Sequence, residues 1–251
     1  MTVRVAMWSG PRNISTAMMR AWENRPDTVV VDEPFYAEYL ARTGLDHPGR
    51  EEVIASQPTD AAEVIRRLRT DDSAPVHYTK HMTHHIAADM SMDWVSKFHN
   101  VLLIRDPAEV VASYLRSRDR VAVADLGLVE QVQLYEQLAA AGSPALVVDS
   151  SDFLRRPEAY LRTLCERLGL GFESAMLSWP AGPRDSDGVW APYWYDAVWR
   201  STGFEHYRPR EVRLDGLAQE VVDACRPMYQ LLYGMRLVLP IGEGAGQSLP
   251  E

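Results

Sequence analysis

The chain has 251 residues, 46% hydrophobic and 24% charged, a length and composition that suit one α/β domain with a full core. A net charge of -9 excludes general affinity for the backbone of DNA or RNA, so an anionic ligand has to be held by locally placed positive groups. No run reaches the roughly 18 apolar residues of a membrane span, and the first residues enter a strand-like run rather than a charged-then-apolar leader. Cys165 and Cys225 lie in helix-like runs and read as buried free thiols. The expectation is a cytoplasmic protein with no membrane or nucleic-acid partner.

Val3 to Trp8 is a short apolar run of the kind buried in a sheet. It leads through Ser9-Gly10-Pro11-Arg12-Asn13-Ile14-Ser15-Thr16 into a helix-like run, Ala17 to Trp22. This is the strand-loop-helix layout of a phosphate-binding loop. Gly10 and Pro11 break the strand, Ser15 and Thr16 are short hydroxyl donors at the helix start, and the amides there face an anion that the helix dipole favours. Arg12 adds a fixed positive charge. The Gly-Lys-Ser/Thr ending of a Walker A loop is absent, which argues against an ATPase or an ordinary kinase.

Further along, Thr28 to Val31, Pro75 to Thr79, Asn100 to Ile104 and Ala145 to Val148 read as buried strands. Ala61 to Arg69, Pro107 to Arg116, Leu128 to Ala141 and Pro157 to Leu168 have helical spacing, with Pro107 and Pro157 in the first turn, where proline fits. The alternation predicts a single α/β domain over residues 1–241. Its sheet is mostly parallel, helices cover both faces, and ligands bind at the carboxyl ends of the strands. Residues 171–209, rich in Pro, Gly, Trp and Tyr without a clean period, are expected to form an ordered, irregular flap over the site. Leu217 to Tyr233 is a final helix, and residues 242–251 are expected to be a flexible tail.

A second signal is Ile104-Arg105-Asp106-Pro107, where a buried strand ends and a helix carrying Ser113 starts at once. Arg105 then shares the sheet edge of Arg12, and Ser113, two turns on, can face back toward it. Read alone, Arg105 serves equally well as a structural partner of Asp106 or of another carboxylate.

Together these motifs resemble the two halves of the cofactor site in sulfotransferases that use 3′-phosphoadenosine 5′-phosphosulfate, PAPS, which have a P-loop NTPase-like fold. Pro11-Arg12-Asn13-Ile14-Ser15-Thr16 is similar to that family's Pro-(Lys/Arg)-Ser-Gly-(Ser/Thr)-(Ser/Thr) loop. Arg105-Asp106-Pro107 with Ser113 matches its second motif, and Ala145 through Leu170 resembles its third. The resemblance implies that Arg12, Asn13, Ser15 and Thr16 hold the 5′-phosphosulfate and that Arg105 and Ser113 hold the 3′-phosphate. Arg12 would offset charge on the leaving phosphate, and PAP would be the product. Asn13 replaces the family's Ser, and Ile14 stands where Gly is usual. A β-branched residue tolerates positive φ badly, so either the loop turns differently or Gly10 supplies the freedom.

Two residues compete for the role of base that the resemblance implies. Glu33 follows the second strand, where the role of base is favoured over that of a helix-capping acid before Pro34. His81, in Tyr78-Thr79-Lys80-His81 after the third strand, faintly resembles a Lys-Thr-His segment of the family. Lys80 would assist the sulfuryl group or face solvent. His84 and His85 stand at no familiar ligand spacing, so no metal is expected. Trp199-Arg200-Ser201-Thr202-Gly203-Phe204 loosely resembles the family's late loop over the 3′-phosphate, making Arg200 and Ser201 candidates. Trp190, Tyr193, Trp194 and Tyr195 form either an aromatic wall or core, and Arg118 reads as a solvated charge. The function implied is sulfuryl transfer to a small-molecule acceptor. A kinase on the same fold and a non-catalytic binding subunit are the alternatives, and a homodimer or paired subunit stays open as a partner.

Overall fold

The computed structural model describes residues 2–116, 118–209 and 211–240; the expected tail, residues 242–251, lies outside them. The strands are β1 (Val3–Ser9), β2 (Thr28–Asp32), β3 (Val76–Met82), β4 (His99–Ile104) and β5 (Leu146–Asp149). All pair in parallel, in the order β2-β3-β1-β4-β5. The expected strands are therefore present, and the sheet is parallel throughout. The chain leaves β1 toward β2 on one side and leaves β4 toward β5 on the other, so the crevice where such sheets bind ligands opens between the carboxyl ends of β1 and β4.

The helices are α1 (Ser15–Glu23), α2 (Tyr36–Thr43), α3 (Arg50–Ser56), α4 (Ala61–Thr70), α5 (Pro107–Tyr114), α6 (Leu128–Ala140), α7 (Ser150–Arg155), α8 (Pro157–Arg167), α9 (Ala191–Trp194), α10 (Asp196–Trp199) and α11 (Gly216–Gly234). Alternation along β1 divides the core. Val5 and Met7 pack with Met18, Met19 and Trp22 of α1 and Leu161 and Leu164 of α8, while Ala6 and Trp8 pack on the other face with α4, α5, α6 and α11. Cys165 and Cys225 are free and buried, one in each layer. No helix is long and apolar enough to cross a membrane.

Residues 171–209 fold against the domain instead of hanging from it. Trp190, Ala191 and Tyr195 join Tyr36, Leu40 and Val53 in a third apolar cluster. A buried ion pair, Arg20 to Asp187 at 2.6 Å, ties the segment to α1, and Trp199 donates to the same carboxylate at 2.9 Å.

Candidate active site

The loop after β1 turns at Arg12, whose φ is 55°, while Ile14 keeps φ at -89°. The β-branched residue is thus never asked for a left-handed backbone, and Gly10 does not supply one either. Gly10 is required for a different reason: a Cβ there would lie 2.1 Å from the Leu126 carbonyl oxygen. The turn is held from β4. Arg105 donates to the Arg12 carbonyl at 2.7 Å, and Asn13 Nδ2 donates to the Leu103 carbonyl at 3.0 Å while its Oδ1 accepts from the Ile14 amide at 2.8 Å.

Arg12 Nε donates to Ser113 Oγ at 3.1 Å, and Arg116 donates to the same oxygen at 2.8 Å, which leaves the buried Ser113 hydroxyl its own proton to donate. Burial, and then the charges of Arg116 and Arg105, lower the proton affinity of the Arg12 guanidinium. Arg105 pairs with Glu109 at 3.0 Å, not with Asp106, which caps α5 and pairs with Arg226. Glu109 also accepts from Tyr207 at 2.6 Å. Two arginines thus share one hydroxyl, and a third, Arg105, holds the Arg12 carbonyl and pairs with Glu109. No side chain caps the adjoining α1, which begins with Ser15 and Thr16; α2, α3, α6, α8 and α11 likewise have none, and aspartates cap α4, α5 and α7.

Two strands away, the edge carries the opposite sign. Lys80, on β3 and 1% exposed, donates to Asp32 at 2.8 Å, to Glu33 at 2.5 Å and to the Tyr195 hydroxyl at 2.6 Å. Tyr195 in turn donates to Asp32 at 2.6 Å and accepts from the Trp190 indole at 3.2 Å. Burial works against the Lys80 charge, but Asp32 and Glu33 more than offset it, so Lys80 stays protonated. Burial raises the pKa of Glu33; Lys80 opposes that rise and Asp32 adds to it. A carboxylate so placed is a stronger proton acceptor than one in water.

Among the described residues, Arg12 and Glu33 are the non-glycine residues with positive φ, at 55° and 40°. Each such backbone costs about 1–3 kcal/mol and persists only where surrounding contacts fix it. Here Arg105 fixes the first. At the second, the Glu33 amide donates to the Lys80 carbonyl at 2.9 Å and Gln57 donates to the carbonyls of Asp32 and Glu33 at 3.3 and 3.2 Å.

The structure therefore gathers Arg12, Asn13, Arg105 and Ser113 beside the start of α1, and sets Glu33 across the edge from them. Three expectations are corrected. His81 is 1% exposed, stacked on Trp8 with ring centroids 4.0 Å apart and flanked by Phe35 and Trp94, on the sheet face opposite Lys80. Burial lowers its pKa to about 3, so it is a weak base walled in by apolar rings. Lys80 does not face solvent. Arg200 pairs at the surface with Asp196, and Ser201 supports Trp179 at 3.1 Å and bonds the Val198 carbonyl at 2.7 Å, so neither joins the arginine group. The late segment reaches that group through Tyr207 instead. Trp190 and Tyr195 are core, Tyr193 is exposed, and Arg118 lies over the rings of Tyr114 and Trp194.

Arg116 and Glu109 stand one helical turn from Ser113 and Arg105, a spacing that could have identified both. Asp32 and Tyr195 meet across 163 residues, and no local pattern signals that.

The chain is 36% identical over 228 residues to "Branched-chain-amino-acid aminotransferase-like protein 1" of Arabidopsis thaliana and 32% identical over 226 residues to the corresponding protein 2. Each match takes in 90% of this chain but 40% of the relative, so the chain spans well under half of those proteins. The solved "Sulfotransferase Domain from the Curacin Biosynthetic Pathway" superposes with a TM-score of 0.51 at 14% identity, covering 97% of this chain and 94% of the other, a likeness of fold. Residues 3–234 match the family described as Sulfotransferase domain, and the chain belongs to that family.

Proposed function

We propose that the chain transfers a sulfuryl group from PAPS to a hydroxyl, or failing that an amine, of a small acceptor. The observation that carries this reading is the meeting of Arg12 and Arg116 on Ser113, with Arg105 on the Arg12 carbonyl, beside an uncapped α1. Their donors suit a ligand with two separated phosphates. Bound there, PAPS would supply a sulfuryl group on a phosphate leaving group. Arg12, Asn13, Ser15 and Thr16 would hold its 5′ end, and Arg12, always charged, would offset negative charge growing on the leaving oxygen. Arg105 and Ser113 would hold the 3′-phosphate. Glu33 would accept the acceptor's proton; Lys80 fixes its carboxylate in place, and Tyr195 holds the neighbouring Asp32.

Calorimetry with PAP tests the reading. Wild type should bind, and Arg105→Ala should bind about 10- to 100-fold more weakly, the loss expected when one partner of a charged hydrogen bond is removed. Absence of binding by the wild type overturns it.

A further inference from the structure

Beside Glu33 lies a histidine that the function has not used. His85 is 3% exposed, and its Nδ1 has no hydrogen-bond partner. That nitrogen sits 3.9 Å from Glu33 Oε2. Glu33 Oε1 is taken by Lys80, so Oε2 is the oxygen turned toward the imidazole. A separation of 3.9 Å is too long for a direct hydrogen bond, yet one oxygen atom about 2.8 Å from each fits between them off the line of centres.

The ring has little freedom to turn away. It stacks between Tyr36 at 4.6 Å and Tyr39 at 4.7 Å, both from α2, and His84 meets it edge-on at 4.6 Å. Its backbone is tied as well: Arg42 donates to the His85 carbonyl at 3.1 Å while pairing with Glu38. A buried nitrogen left bare at a cost, in a ring held on both faces, points to a ligand atom that satisfies it.

We propose that His85 Nδ1 and Glu33 Oε2 together seat the acceptor oxygen, the imidazole donating a hydrogen bond to it and the carboxylate accepting its proton. This rests on the sulfuryl-transfer reading above and adds a second residue that touches the acceptor. The seat admits a hydroxyl or water, which has one proton to give and a lone pair to receive. It disfavours an amine, whose one lone pair would be held by the His85 proton and could not also attack sulfur, whereas an oxygen has a second. The acceptor class is thereby narrowed to alcohols and phenols. Desolvation keeps His85 neutral, as a donor beside a carboxylate base has to be if the base is to gain the proton.

The test uses the full chain, PAP, and radiolabelled PAPS with water and phenol as acceptor probes. His85→Phe keeps the stacking between the tyrosines and removes both ring nitrogens, whereas His85→Asn restores a donor near the Nδ1 position. PAP affinity should stay within twofold in both variants. Sulfate release to water or transfer to phenol should fall about 10- to 100-fold in His85→Phe and recover in part in His85→Asn. The 15N shift of the His85 ring gives a readout apart from turnover: Nδ1 should carry the proton. A bare Nδ1, a His85→Phe rate equal to wild type while Glu33→Gln is slow, or a wild type that binds PAP yet transfers to neither probe would each overturn the proposal. Failure of wild type to bind PAP would instead overturn the function on which it rests.

Discussion

The two halves of the sheet edge differ in sign, burial and the range of their contacts. On the β1–β4 side, arginines gather with a small share of acid, partly open to solvent, on residues close in sequence to two motifs. On the β2–β3 side, two carboxylates share one lysine in a closed pocket whose members come from β2, β3 and α10's approach at Tyr195. The first half carries more positive charge than its paired acid, Glu109, offsets. In the second, Lys80 takes one Glu33 oxygen, and the other oxygen faces the unpartnered Nδ1 of His85. A site that must bind a highly charged donor needs open positive charge, whereas a site that must remove a proton from a weak acid needs burial, since water would level the carboxylate.

Four substitutions break or sharpen that contrast. Glu33→Gln should leave PAP affinity unchanged and lower kcat about 10³-fold, within the range for loss of a general base. The same variant carries a stability signature. Because the pKa of Glu33 is raised in the fold above its ordinary 4.5, its contribution to stability is full below that pH and is lost as pH rises through the raised value. Melting temperatures should therefore favour Glu33→Gln over wild type more at pH 7 than at pH 4. Arg12→Ala should reduce kcat by about 10²-fold or somewhat more, as removal of a charge-stabilising donor does elsewhere. It should also weaken PAP binding, which Glu33→Gln should not.

Smaller effects follow for the network around the base. Tyr195→Phe removes a hydroxyl that donates to Asp32 and, lying 3.5 Å from Glu33, helps lower the Glu33 pKa, so the acid limb of the kcat/KM profile should move to higher pH. The buried Asp32 oxygen left without its donor should lower stability by about 1–3 kcal/mol. His81→Phe, which keeps the ring stack on Trp8 and removes two unpartnered nitrogens, should change kcat/KM by about threefold or less. A loss near that of Glu33→Gln would restore His81 as the base.

The same contrast explains what could be read from the sequence. The strands were legible because each is a short run of β-branched and apolar residues between breakers, and the helices with Pro107 and Pro157 announced their first turns. Helix α3 was not, since of its seven residues Val53 alone is buried and its polar faces carry no period. The arginine half was legible because Arg12, Arg105 and Ser113 sit on strand-to-helix junctions whose geometry sequence fixes locally. The carboxylate half was legible at Glu33 alone. Whether His81 or Lys80 turned toward Glu33 depended on strand parity, and an assignment one residue off exchanges the sheet's faces. Arg200 and Ser201 were drawn from an irregular segment without a period, where no rule says which side chain turns inward.

The left-handed backbone at Arg12 and Glu33 has a consequence for how this protein would change under selection. Glycine would relieve both positions, and its gain in folding free energy would come with loss of the two side chains around which the site is built. A library screened for heat resistance without an activity check should therefore enrich glycine, and to a lesser degree asparagine, at residues 12 and 33. Positions where such enrichment is strong, and where retained activity forbids it, would mark the working residues without any ligand in hand.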